Sequence, residues 1–107
     1  MPATPDSILK SLADPTRRAL FERLSRQGEQ TVGRLTDAAG VSQPAVSKHL
    51  AVLKRAGLVR ARHEGRETHY SAQPQSLAPL IDWLGFYGRF WNERLDRLED
   101  LLKRMDT

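Results

Sequence analysis

The 107-residue chain contains no cysteine, which removes disulfides, thiol redox switches and thiolate metal sites together. No run of eighteen apolar residues occurs, and the start, "MPATPDSILKSLADPTRRALFERL", lacks a basic stretch followed by an apolar one. That pattern predicts a cytoplasmic protein that makes no use of a membrane. No Ser/His/Asp arrangement, glycine-rich phosphate loop or pair of buried carboxylates can be placed along the chain, so an enzyme is not expected. One further absence is local: the chain has thirteen acidic residues, yet none lies between Asp37 and Glu64, where five bases remain.

What is present fits an ordinary globular chain, 39% hydrophobic and 28% charged. Its length suits a single domain with one modest core. The net charge of +4 is unevenly spread, because residues 41–66 hold Lys48, Lys54, Arg55, Arg60, Arg62 and Arg66 against Glu64 alone. A confined basic segment on an otherwise balanced chain is the electrostatic signature of a polyanion partner, above all a phosphate backbone.

Helix signals divide the first half of the chain. Asp6 or Ser7 is placed to cap a first helix with Ile8, Leu9 and Leu12 at helical spacing. In "DPTRRALFERL" Asp14 caps, Pro15 opens the helix, Leu20, Phe21 and Leu24 form the buried face, and Gly28 ends it. Thr31 caps a third helix over 32–38, Gly40 makes a tight turn, and Ser42 caps a fourth helix that Gly57 stops. Plotted at 100° per residue, Ser42, Val46, Leu50 and Leu53 share one stripe of that fourth helix, while Pro44, Ser47, Lys48, Ala51, Lys54 and Arg55 occupy the opposite arc. Small side chains and bases without an acid suit a helix that enters a major groove about 12 Å wide.

Beyond Gly57 the period changes to two. "LVRARH" and "ETHYS" alternate around "EGR", which predicts a hairpin over 58–71 with Arg62 to Arg66 at its tip. A basic hairpin after the second helix of a helix-turn-helix is a wing that meets phosphate or the minor groove.

From about Ser76 to Met105 the chain reads as one long helix. Leu77, Leu84, Trp91, Leu98 and Met105 recur every seven residues, with Ile81, Leu95 and Leu102 in a second row that Gly88 interrupts. Five of the seven aromatics, Trp83, Phe86, Tyr87, Phe90 and Trp91, wrap this helix on nearly every side. One small domain covers one side, so the other is expected to meet a second copy, with Gly85 and Gly88 allowing close approach. Glu93/Arg97, Glu99/Lys103 and Asp100/Arg104 are spaced as i,i+4 pairs.

The element order, with "DPTRRAL", "AAGVSQPAVSKHLAVLKRAGLVRARHEGRETHY" and "LAPLIDWLGFYGRFWNERLDRL", resembles the ArsR family of bacterial winged-helix repressors across roughly 7–102. The resemblance implies a mainly helical winged helix-turn-helix fold, with the helix-turn-helix at 31–57. It also implies a homodimer, paired through first and last helices, that binds a palindromic operator on double-stranded DNA and leaves it when an effector binds. The family's thiolate site would fall near "EQTVGRLTDAAG" and its carboxylate and histidine site within 76–106. The first contains no cysteine and the second no histidine, so neither a metal nor another cofactor is expected. His49 fits a hydrogen-bonded core edge, and His63 and His69 fit surface or phosphate positions.

The resulting site expectations are specific. Gln43, Ser47 and Lys48 are candidates for base contacts, and Thr31, Ser42, Lys54, Arg55, Arg62 and Arg66 for phosphate contacts, with Arg17 and Arg34 as weaker candidates. Leu9, Leu12, Leu84, Tyr87, Gly88, Trp91, Leu95 and Leu98 are the candidate dimer surface. Two other functions keep part of this picture: a sensor whose aromatic cluster lines a pocket at the dimer interface, and an architectural protein that binds any duplex.

Overall fold

The computed structural model describes residues 3–106. Its elements run α1 (Pro5–Ala13), α2 (Pro15–Gln27), β1 (Gln30–Thr31), α3 (Val32–Ala39), α4 (Gln43–Arg55), β2 (Val59–Glu64), β3 (Glu67–Ala72), a 3-10 turn (Pro74–Leu77) and α5 (Ala78–Met105). The architecture is mainly helical with a small antiparallel sheet, as the periodicities predict.

Local chemistry sets most boundaries. Asp14, Thr31 and Ser42 each accept a hydrogen bond from the backbone N–H three residues on, which satisfies an N–H that the first turn of a helix leaves unpaired. Neither Asp6 nor Ser7 caps α1. Thr4 does so, its hydroxyl accepting from the Ser7 N–H while the Ser7 hydroxyl accepts from the Thr4 N–H, a reciprocal box that starts the helix at Pro5. Gly40 adopts φ 69°, a left-handed conformation that lets α3 end and α4 begin within three residues.

Ile8, Leu20, Phe21, Leu24, Leu35, Val46, Leu50, Leu53, Leu58 and Val59 form the buried core, so α1 to α4 and the base of the sheet each contribute to one cluster. The sheet has order β1-β3-β2, with Gln30 opposite Tyr70 and Val59 opposite Ala72. The two-residue β1 has no counterpart in the sequence reading. It is too short to show alternation, and it exists because β3 offers it a free edge.

The last helix differs from expectation at both its start and its burial. A separate 3-10 turn occupies 74–77, and the α-helix starts at Ala78, with Pro79 in its first turn, where a missing N–H costs nothing. The domain covers this segment only at its base, where Leu77 of the turn and Leu80 of the helix pack against the core. From Ile81 onward both sides stay open: Trp83, Phe86 and Phe90 are as exposed as Leu84, Trp91 and Leu98. At ~1.5 Å per residue α5 is about 42 Å long, and the molecule measures 68 × 29 × 21 Å. Its radius of gyration of 18.9 Å exceeds the roughly 13 Å of a compact chain this size, because the helix projects beyond the core. Of the three expected i,i+4 pairs, Glu99 and Lys103 approach to 3.6 Å.

Candidate nucleic-acid interface

α3, the Gly40 turn and α4 form a helix-turn-helix whose second helix is divided cleanly by burial. Val46, Leu50 and Leu53 are buried, whereas Gln43, Pro44, Ser47, Lys48, Ala51, Lys54 and Arg55 are all exposed. The exposed arc carries three bases and no acid, and it begins at the positive end of the helix dipole. Ser42 and Thr31 lie at the two helix starts, each with its hydroxyl oxygen already 3.3 Å from a backbone N–H.

His49, on the border of these two faces, is half-buried, with Nδ1 3.4 Å from Arg17 Nη1. Arg17 also donates through Nε to the Ser11 carbonyl at 2.6 Å and through Nη2 to the Lys10 carbonyl at 3.4 Å. Its guanidinium therefore ties the end of α1 to α4, which gives this base a structural task. The N–H of the same residue, donated to the Asp14 carboxylate, holds that carboxyl below its usual range.

The hairpin is less positive than its sequence segment suggests. Arg62 reaches back across the sheet to Glu29, with Nη2 2.6 Å from Oε1 and Nε 3.3 Å from Oε2, while Nη1 meets Glu64 at 2.8 Å. Ser71 donates a further hydrogen bond to Glu29 at 3.0 Å. The Arg62 and Ser71 hydrogen bonds lower the Glu29 carboxyl to about 2, and Arg62 lowers that of Glu64 as well. The same carboxylates raise the pKa of Arg62. His69 completes the cluster, Nδ1 3.8 Å from Glu29 and Nε2 3.8 and 3.6 Å from Glu64 and Glu67. His63 Nδ1 sits 3.1 Å from the Thr68 hydroxyl.

Arg62 is thus engaged by two carboxylates rather than presented at the hairpin tip. Arg66, in the turn between β2 and β3, is exposed and has no carboxylate within 4 Å among the described residues. Glu29 is the residue that sequence reasoning missed. It lies outside the acid-poor segment, and only the β1–β3 pairing brings it onto the hairpin. Among the described residues no group of three or more His, Asp or Glu side chains is arranged to hold a metal ion. No described helix is long and apolar enough to cross a membrane.

The candidate contact surface on α1 and α5 is mostly open. Leu9, Leu84, Tyr87, Trp91, Leu95 and Leu98 are exposed, and a side chain at Gly88 would meet nothing within 4 Å. Leu12 differs, being half-buried against the core. The aromatics stack on one another, Trp83 on Tyr87 at 5.3 Å and Phe86 on Tyr87 at 5.2 Å, both edge-on, and Arg94 lies 4.6 Å from the Phe90 ring centre.

A helix-turn-helix followed by a hairpin, with a polar and basic outer face on its second helix, defines a winged helix-turn-helix protein. Comparison with known proteins agrees: a helix-turn-helix domain family matches residues 12–62. The HTH-type transcriptional regulator Rv2034 of Mycobacterium tuberculosis is 43% identical over 92% of this chain and 89% of its own length. The arsenic resistance transcriptional regulator ArsR1 of Pseudomonas putida is 40% identical over 67% of this chain, which spans 56% of that protein. The structure of an ArsR-like transcriptional regulator from Rhodococcus sp. RHA1 superposes with a TM-score of 0.70 at 31% identity, covering 91% of both chains. The chain belongs to the ArsR family of helix-turn-helix transcriptional regulators. It is a regulator of transcription and not an enzyme.

Proposed function

We propose that the protein is a cytoplasmic, homodimeric repressor that recognises an inverted-repeat operator, its own promoter being the first candidate. The observation that carries this reading is the exposed, acid-free face of α4. Gln43 suits adenine bidentately, Lys48 suits guanine O6 or N7, and Ser47 suits either base. Phosphate contacts fall to Lys54, Arg55 and Arg66, with the capped helix starts at Thr31 and Ser42 drawing anions through their N–H groups. Arg62 joins them only by exchanging Glu29 and Glu64 for a phosphate. Pairing through Leu9 of α1 and the two seven-residue rows of α5 covers the exposed Leu84, Trp91, Leu95 and Leu98. Two α4 helices related by the two-fold axis would then enter successive major grooves, about 34 Å or one turn of DNA apart.

The test is fluorescence anisotropy of the full chain on the DNA upstream of its own gene and on a scrambled duplex, at two salt concentrations. A preference of about a thousandfold or more supports a specific repressor of its own promoter. Equal, steeply salt-dependent binding to both duplexes favours an architectural role or an operator elsewhere, which selection from random DNA separates.

A further inference from the structure

Away from α4 and α5, α2 and α3 enclose a half-open groove of about 360 Å³, lined by Pro15, Thr16, Ala19, Leu20, Leu35, Ala38 and Ala39 and bounded by Arg23. That volume lies within the ~300–1,000 Å³ range of small-molecule sites. The floor is Leu20 and Leu35, both buried, and the walls are small side chains that leave a slot.

Charge is arranged at one end. Arg23 is fixed by its Nε, which donates to the Gln30 side-chain oxygen at 2.9 Å, and Gln30 is itself buried and bonded to Gln27. No described carboxylate lies within 4 Å of Arg23. Past Arg23 and Ala38 the groove continues onto a shelf bordered by Arg34 and Asp37. The rim thus holds two guanidinium groups against one carboxylate, beside an apolar slot.

We propose that this groove is a binding site for a small organic carboxylate with a compact apolar body, its body lying between Ala19 and Ala38 and its carboxylate on Arg23. Coupling to the rest of the molecule follows from how α3 is held. Leu35 is the one buried side chain of α3, whereas α2 is anchored by Leu20, Phe21 and Leu24. A ligand wedged between the exposed Ala19 and Ala38 therefore shifts α3 more readily than α2, and α3 carries α4 through the Gly40 turn. This consequence for operator affinity rests on the repressor reading, whereas the binding site does not.

The experiment is a titration of the isotope-labelled full chain with 1-naphthoate, followed by amide NMR, beside uncharged 1-naphthalenemethanol. Expected are a Kd of about 1 mM or tighter, shifts centred on Ala19, Arg23, Leu35 and Ala38, and roughly tenfold weaker binding of the alcohol. Ala38→Leu, at the edge of the slot, fills it and should abolish the shifts without unfolding the chain. Arg23→Gln should remove the preference for naphthoate, and Asp37→Asn should strengthen it. Shifts confined to Trp83 and Phe90, equal binding of the alcohol, or full binding by Ala38→Leu would overturn the site. Operator release is read separately by anisotropy: groove binding without release overturns the coupling alone, and operator binding with no groove shifts overturns the site while leaving the repressor reading intact.

Discussion

Arg62 and Glu29, 33 positions apart, meet at 2.6 Å across the sheet and join β2 to the segment before β1. The contact is bidentate toward Glu29 and is extended by Glu64, so one guanidinium is shared between two carboxylates. Such a charge-assisted fork fixes orientation as well as charge. It makes Arg62 a brace between the hairpin and the helical body, and it leaves Arg66 as the exposed cation of the turn.

Neutralising Glu29 should therefore strengthen DNA binding. Glu29→Gln frees most of the Arg62 fork and removes a negative charge from the surface facing phosphate. The expected result is about three- to tenfold tighter binding to operator and scrambled DNA alike, with a salt slope steeper by about one. By the same reasoning Arg62→Ala should cost less DNA affinity than Arg66→Ala. Equal losses in the two variants would mean that the ion pairs open when DNA arrives.

The brace also has a defined acid limit. The Glu29 carboxyl, ordinarily near 4.5, falls to about 2 in the folded protein. A carboxyl lowered by folding stabilises the native state above its unfolded value and loses that contribution as pH falls through the folded one. Glu64 is shifted in the same direction. The gap in thermal midpoint between the parent and Glu29→Gln should thus be constant above roughly pH 5 and close progressively toward pH 2. Added salt at neutral pH should narrow it too, because these groups are partly exposed. A gap independent of pH would assign the effect of Glu29→Gln to lost packing.

Most of the helical body is legible in the sequence because its signals are local. Asp14, Thr31 and Ser42 act within three residues of themselves, and the stripe Val46, Leu50, Leu53 needs only helical geometry. The hairpin strands are legible from alternation around Gly65. Glu29 is not, since its role depends on a pairing between Thr31 and His69 that no local pattern encodes. Counting charge by segment fails for the same reason: a surface gathers residues from several segments. The aromatic helix shows a related limit. Its composition demands burial, yet the chain's own core reaches only Leu77 and Leu80.

Roles on the two DNA-facing elements should separate in binding data. Gln43→Ala and Ser47→Ala should change which operator is preferred, each costing about 1–3 kcal/mol at the base pair that the missing side chain would read. Arg66→Ala and Lys54→Ala should weaken all duplexes alike and flatten the salt slope by about one for each phosphate left unneutralised. Selection from a randomised duplex pool, run with each variant, distinguishes the two behaviours. A changed operator preference in Arg66→Ala, with none in Gln43→Ala, would move base reading from α4 to the hairpin.

The exposed row on α5 gives the sharpest test of assembly, because its residues contribute nothing to the core of one chain. Leu98 is 52% exposed, so Leu98→Glu leaves that core untouched. In a dimer the same carboxylate would be buried against apolar side chains, at a cost of several kcal/mol. Sedimentation of the parent protein should give about twice the chain mass of 12.1 kDa, and Leu98→Glu should sediment as a single chain. Asp96→Lys, on the opposite face of the helix, changes charge by more and should leave the mass unchanged. Operator affinity should fall about a hundredfold or more in Leu98→Glu, since one α4 then reads one half-site without its partner. Tryptophan emission supplies an independent readout, because Trp83 and Trp91 both lie on α5 and pairing that covers Trp91 shifts its emission to the blue. A parent protein that sediments as one chain at micromolar concentration, with emission unchanged by Leu98→Glu, would mean that the α5 face is covered by something other than a second copy.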